Sequence, residues 1–99
     1  MTRTLRYSRQ FYDDLERYYR HLAQHDLDLA ERCYEAVFKT IRVLEDFPFV
    51  GRKVIDDDAL AREILVPFGS SGYVILYDID NDHLVTILAI RRQREDDYY

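Results

Sequence analysis

"REILVPFGSSGYVILYDIDNDHLVTILAIR", residues 62–91, carries the strongest structural signal in the chain. Runs rich in β-branched and aromatic residues occupy 62–68, 73–79 and 83–91, and the turn sequences "GSSG" and "DND" between them are short enough for hairpins. The pattern predicts three strands in an antiparallel meander. Tyr73, Ile75, Tyr77 and Ile79 share one side of the middle strand, while Val74 and Leu76 take the other. In the last strand Val85, Ile87 and Ala89 oppose Leu84, Leu88 and Ile90. A sheet with one solvated face would alternate apolar with polar residues. Both faces of these strands therefore need cover, from a partner, a second copy or the chain's own tail.

Upstream of the meander the period changes. "TRTLRYS" alternates as a short half-buried strand, and Ser8 at its end can cap a helix. Phe11, Leu15, Tyr18 and Leu22 then recur at helical spacing, an apolar stripe over roughly residues 9–24. "QHDLD" interrupts it. Asp28, with Glu31 three residues on, reads as a capping box for a second helix, whose stripe of Ala30, Cys33, Tyr34, Val37, Ile41 and Leu44 runs to about Asp46. So short a connection makes an antiparallel helical hairpin. "FPFVGR" stops the second helix at Pro48 and Gly51, and the segment through Asp56, Asp57 and Asp58 reads as a solvated loop. The expected architecture is an α+β single domain over residues 1–99: a strand, a helical hairpin and a three-stranded meander.

Composition excludes several classes of function. With 47% apolar and 33% charged residues the chain is globular rather than disordered. One cysteine, Cys33, precludes an internal disulfide framework, and no signal-like or membrane-length apolar stretch is present, so a reducing cytoplasm is the expected setting. The formal charge of −5 argues against sequence-specific nucleic-acid binding through phosphate neutralisation. The acid lies mid-chain: residues 54–90 hold seven acidic side chains and one basic.

Arg91, Arg92 and Arg94 follow directly on the last apolar strand, ahead of Glu95, Asp96, Asp97, Tyr98 and Tyr99. RNA cleavage needs a base, an acid and cations for the phosphorane charge, and arginine supplies only the last. No His, Lys or Glu stands inside "AIRRQR", so no catalytic set is assigned there; pairing of the arginines with Glu95 to Asp97 is the plainer reading. Strand alternation sends Arg91 with Ala89 and Ile87 to one face and Arg92 with Ile90 and Leu88 to the other. Tyr12 and Tyr19 lie off the apolar stripe of the first helix and form an aromatic flank suited to partner contact or plain surface. His21 and His25 have the i, i+4 spacing of metal ligands, but with only His83 elsewhere no metal is expected, and no cofactor. Cys33 reads as core packing, and "GSSG" as a hairpin loop.

The order of elements, together with "FYDDLERYYRHL", Leu44, Pro48, Gly51 and Arg52 in "LEDFPFVGR", Arg62, "GYVILYDID" and "ILAIRRQRE", resembles the RelE/ParE superfamily of bacterial toxins from type II toxin–antitoxin modules. The resemblance spans the whole chain. It implies one of two activities: cleavage of messenger RNA in the ribosome by RelE-like members, or inhibition of DNA gyrase by ParE-like ones. RelE-like nucleases are strongly basic, whereas this chain is acidic with Lys39 and Lys53 as its only lysines, and its ending is closer to the ParE side. Many ParE-like relatives place a histidine where Arg92 stands. The resemblance thus implies a gyrase inhibitor rather than an enzyme, held inactive by a ParD-like or similar antitoxin in a hetero-oligomer. A ribosome-dependent endoribonuclease and a decayed, non-toxic antitoxin-binding module are the alternatives. The residues assigned to target or antitoxin contact are Arg91, Arg92 and Arg94, with Arg52 and Arg62 as structural or secondary contacts. Tyr12, Leu15 and Tyr19 are the antitoxin-facing set.

Overall fold

Two long strands rich in β-branched residues, β4 (Tyr73–Ile79) and β5 (Leu84–Arg92), pair antiparallel at the centre of a computed structural model that describes residues 2–94. Around them the sheet has five strands in the order β1-β5-β4-β3-β2. β1 (Thr4–Tyr7) lies parallel to β5, with Thr4 opposite Leu84 and Tyr7 opposite Ile87. The remaining neighbours are antiparallel, β3 (Asp58–Val66) on β4 and β2 (Arg52–Ile55) on β3. The chain thus enters the sheet beside its last strand. The helical hairpin, α1 (Arg9–Ala23) and α2 (Leu27–Val43), crosses between them on one face.

The helices begin where side chains can satisfy their first amides. Ser8 Oγ accepts from the Phe11 N–H at 3.0 Å, as expected. α2 starts earlier than the capping-box reading placed it: Asp26, not Asp28, is the cap, accepting from the Leu29 N–H at 3.2 Å. Asp28 instead lies inside the first turn and pairs with Arg32 at 3.1 Å. The helix also ends at Val43, ahead of the expected Asp46. A short 3-10 turn, Pro48–Val50, follows.

Two features correct the expected meander. The stretch taken for a solvated loop contains β2 and the first residues of β3, which form a hairpin turning at Asp56 and Asp57. Every residue of β2 is exposed, so no apolar alternation announced it. The second is a β-bulge. Leu76 pairs with Ala89 but Tyr77 pairs with Ile87, which leaves Leu88 without a partner on β4. Side-chain direction therefore shifts within β5. Val85, Ile87 and Ile90 all enter the core, so Ile87 does not share a face with Ala89 and Arg91.

The core lies between the helices and the face of β4 carrying Tyr73, Ile75, Tyr77 and Ile79, against Phe11, Leu15, Tyr18, Cys33, Val37, Ile41 and Leu44. Of the expected α2 stripe only Tyr34 is exposed. On the opposite face Val74 and Ala89 are buried although among the described residues no helix packs on that side. Polar groups flank them. Arg6 Nε donates to Thr86 Oγ1 at 3.1 Å and Arg6 pairs with Asp80 at 3.8 Å; Thr86 also donates to Asp80. Leu65 of that face remains exposed.

Candidate functional site

β5 carries the arginines, and what fixes its outer edge fixes them. β1 stops pairing at Tyr7, which leaves the backbone groups of β5 beyond Ile87 in need of partners. Ser8 and α1 provide them. The Ser8 N–H donates to the Ile87 carbonyl at 2.9 Å and Ser8 Oγ donates to the Leu88 carbonyl at 2.6 Å. The Ile90 N–H donates to Asp14 Oδ2 at 3.4 Å. Asp14 is fully buried, and its other oxygen accepts from Gln10 Nε2 at 2.8 Å and Arg17 Nη1 at 3.3 Å. A buried carboxylate with this many donors is a structural clamp on the bulged strand. Asp14 was passed over in the sequence, although an acid three residues after Phe11 and one before Leu15 sits on the apolar stripe and is a legible signal.

Arg91 and Arg52, 39 positions apart in the sequence, meet at Glu63. Arg52 approaches Glu63 Oε1 at 3.1 Å through both Nε and Nη2, and Arg91 Nη2 lies 3.5 Å from Oε2. The Arg91 side chain is only 11% exposed, whereas that of Arg52 is 63% exposed. One carboxylate on β3 thus draws two guanidiniums together on the sheet face away from the helices, and offsets one of their charges.

Arg62 points to the opposite face and holds the loop after α2. Its Nη1 donates to the Gly51 carbonyl at 2.7 Å and the Phe49 carbonyl at 3.1 Å, its Nε donates to the Ala59 carbonyl at 2.7 Å, and its guanidinium lies 5.1 Å from the Phe49 ring centroid. Tyr77, directly across the ladder, completes the clasp: its hydroxyl donates to the Pro48 carbonyl at 2.6 Å and accepts from the Gly51 N–H at 3.1 Å. A Cβ at Gly51 would overlap that hydroxyl and the Glu63 carbonyl, so the approach requires glycine. Next to this clasp Val43, Phe47, Phe49 and Val50 remain exposed.

Arg92 turns to the helix side. Its guanidinium lies 5.5 Å from the Tyr18 ring centroid and borders a 290 Å³ cleft between the end of α1 and the β3–β4 loop. Arg94 is exposed. The three terminal arginines therefore form no single cluster. The expected pairing with Glu95, Asp96 and Asp97, and the roles of Tyr98 and Tyr99, lie outside the described residues.

Tyr12 and Tyr19 flank a second groove with Leu15, Glu16 and Tyr34, 250 Å³ in volume, on the outer side of the helical hairpin. Leu15 belongs mainly to the core and offers the groove only an edge. Rings continue the surface, Tyr19 against Tyr34 at 5.8 Å and Tyr34 against Phe38 at 4.8 Å. The Tyr19 hydroxyl donates to Glu31 at 2.8 Å, and this bond to a carboxylate raises its pKa.

Burial raises the pKa of Tyr7, Tyr73 and Tyr77, away from what a general base at neutral pH requires. Asp78 is also raised, by burial and by the nearby Asp80 and Asp58. Among the described residues no three His, Cys, Asp or Glu side chains stand close enough to hold a metal ion, and no helix is long and apolar enough to cross a membrane. The geometry presents an arginine pair on the sheet, a cleft beside α1 bordered by Arg92, and an aromatic groove on the hairpin.

The family model for the ParE toxin of the type II toxin–antitoxin system parDE matches residues 5–97. Among curated proteins none matches the chain.

Proposed function

The chain belongs to the ParE toxin family of type II toxin–antitoxin modules, and from that premise we propose that it binds DNA gyrase in the cytoplasm, blocks replication, and is held inactive by a cognate ParD-like antitoxin. Arg91, Arg92 and Arg94 make the target or antitoxin contacts, with Arg52 and Arg62 in supporting roles. The aromatic groove of Tyr12, Leu15, Tyr19 and Tyr34 receives an apolar segment of the antitoxin, a helix-in-groove mode suited to a surface of this kind.

One observation carries the choice of gyrase binding over RNA cleavage. The face on which two arginines converge also holds Glu63 between them, so the cationic charge that would stabilise a phosphorane is offset. Binding through hydrogen bonds and burial needs no excess of positive charge, and the net charge of −5 is compatible with it.

Purified protein tests the reading. The expected result is inhibited supercoiling by gyrase with messenger RNA left intact in a translating extract. Codon-linked cleavage with normal supercoiling would replace the proposal with a ribosome-dependent nuclease. Unimpaired growth on induction without antitoxin would make the chain a non-toxic antitoxin binder.

A further inference from the structure

The cleft at the end of α1 has a composition unlike the other surfaces. Arg92, His21 and Ser71 supply its polar groups, Leu22, Phe68 and Tyr73 its apolar lining, and among the described residues no carboxylate borders it. Six of the twelve arginines are paired with an acid among the described residues: Arg6 with Asp80, Arg17 with Asp14, Arg20 with Glu16, Arg32 with Asp28, and Arg52 and Arg91 with Glu63. Arg92 has no such partner among the described residues. Its guanidinium lies 5.5 Å from the centroid of the buried Tyr18 ring, which Arg17, itself paired with Asp14, also approaches at 4.9 Å.

The cleft is built rather than incidental. Gly69 and Gly72 adopt φ of +61° and +78°, a backbone that favours glycine, and a Cβ on Gly72 would overlap the Val66 carbonyl. The Gln93 N–H donates to the Gly72 carbonyl at 3.1 Å, which ties the residue after Arg92 to the loop bearing Ser71. Arginine and serine are therefore held at the border of one opening.

We propose that this cleft binds a carboxylate side chain of an acidic peptide segment in a protein partner, with an adjoining apolar side chain on Leu22 and Phe68. The guanidinium fork matches a planar carboxylate in two parallel hydrogen bonds. The 290 Å³ volume suits one or two side chains rather than a larger ligand. A multiply charged phosphate is less well served, because the floor is apolar and the chain's net charge is −5. This deepens the assignment of Arg92 to partner contact and rests on it.

The test is titration of the ¹⁵N-labelled full chain with N-acetyl-Phe-Glu-amide, followed by amide and arginine side-chain shifts, with N-acetyl-Phe-Gln-amide as the neutral probe. Shifts should centre on Leu22, Ser71, Gly72 and Arg92, with the Glu probe binding about tenfold more tightly than the Gln probe, a difference of about 1.4 kcal/mol. Arg92→Gln should abolish that preference and Ser71→Asp should block the cleft, while Arg32→Gln, which removes the same charge elsewhere, should keep both. Equal affinity for the two probes, shifts centred on the Tyr12 groove, an unchanged preference in Arg92→Gln, or displacement by inorganic phosphate at lower concentration than the probe would overturn the proposal. Supercoiling is scored separately: probe binding without gyrase inhibition keeps the cleft and sinks the gyrase reading, and the reverse result keeps gyrase and sinks the cleft.

Discussion

Replacing Tyr77 by phenylalanine removes one oxygen from the centre of the fold and should cost far more than a surface hydroxyl. The side chain has no exposed area, and its hydroxyl joins two backbone groups, the Pro48 carbonyl and the Gly51 N–H, in residues that are themselves buried. Phenylalanine leaves both without that partner. At about 1–2 kcal/mol for each buried group left unsatisfied, Tyr77→Phe should lose about 2–4 kcal/mol. For a domain of this size that is a fall of roughly 10–20 °C in Tm. Urea unfolding should show the loss as a lower midpoint at unchanged m, and amide exchange at Gly51 should accelerate. Gly51→Ala supplies the cross-check. Its Cβ overlaps both the Tyr77 hydroxyl and the Glu63 carbonyl, so it destabilises alone; in the Tyr77→Phe background the overlap with the hydroxyl is gone, while that with Glu63 and the 3.0 Å approach to the ring carbon Cε1 persist. The double mutant should therefore be more stable than the sum of the single losses predicts, by about 0.5–2 kcal/mol. A loss below about 1 kcal/mol for Tyr77→Phe, or strict additivity, would refute the clasp.

Three further outcomes follow from the same geometry. Glu63→Gln removes the carboxylate between Arg52 and Arg91 and should cost about 1–3 kcal/mol, chiefly through the buried Arg91 because the Arg52 contact is largely solvent-screened; heparin retention should rise as the face becomes more basic. Asp14→Ala should cost about 1–3 kcal/mol and speed amide exchange at Ile90, whose N–H loses its acceptor at the bulge. The raised pKa values of Tyr73 and Tyr77, due first to burial, mean that the folded state holds protons the unfolded chain has already lost. Their contribution to stability is complete below the unfolded tyrosine pKa of about 10 and is lost as pH rises above it. Urea midpoints should therefore be unaffected by these tyrosines through neutral pH and fall above about pH 10, with tyrosinate absorbance appearing as the chain unfolds.

Local pattern made much of the architecture legible. The stripe of Phe11, Leu15 and Tyr18 has a period that only a helix can turn toward one core, and Ser8 marked where it starts. The β-branched runs of β4 and β5, with short turns between them, left little choice but an antiparallel pair. β2 escaped notice because Arg52, Lys53, Val54 and Ile55 are all exposed and carry no alternation. Asp26 and Asp28, two residues apart, are equally suited by type to cap α2, and only backbone direction selects Asp26.

The candidate site divides in the same way. Which residues carry charge and aromatic surface, and that three arginines close the last apolar strand, can be read along the chain. What they meet depends on how distant segments pack. Sheet pairing brings Arg52 and Arg91 to the same carboxylate, which no spacing in the chain encodes. The bulge at Leu88 depends on how β5 fits β4 and on Ser8 and Asp14 taking up its outer backbone groups. Side-chain period is a property of one segment and can be read along it. Pairing register, and with it the neighbour of every charge on a sheet, is set by the packing of the whole chain.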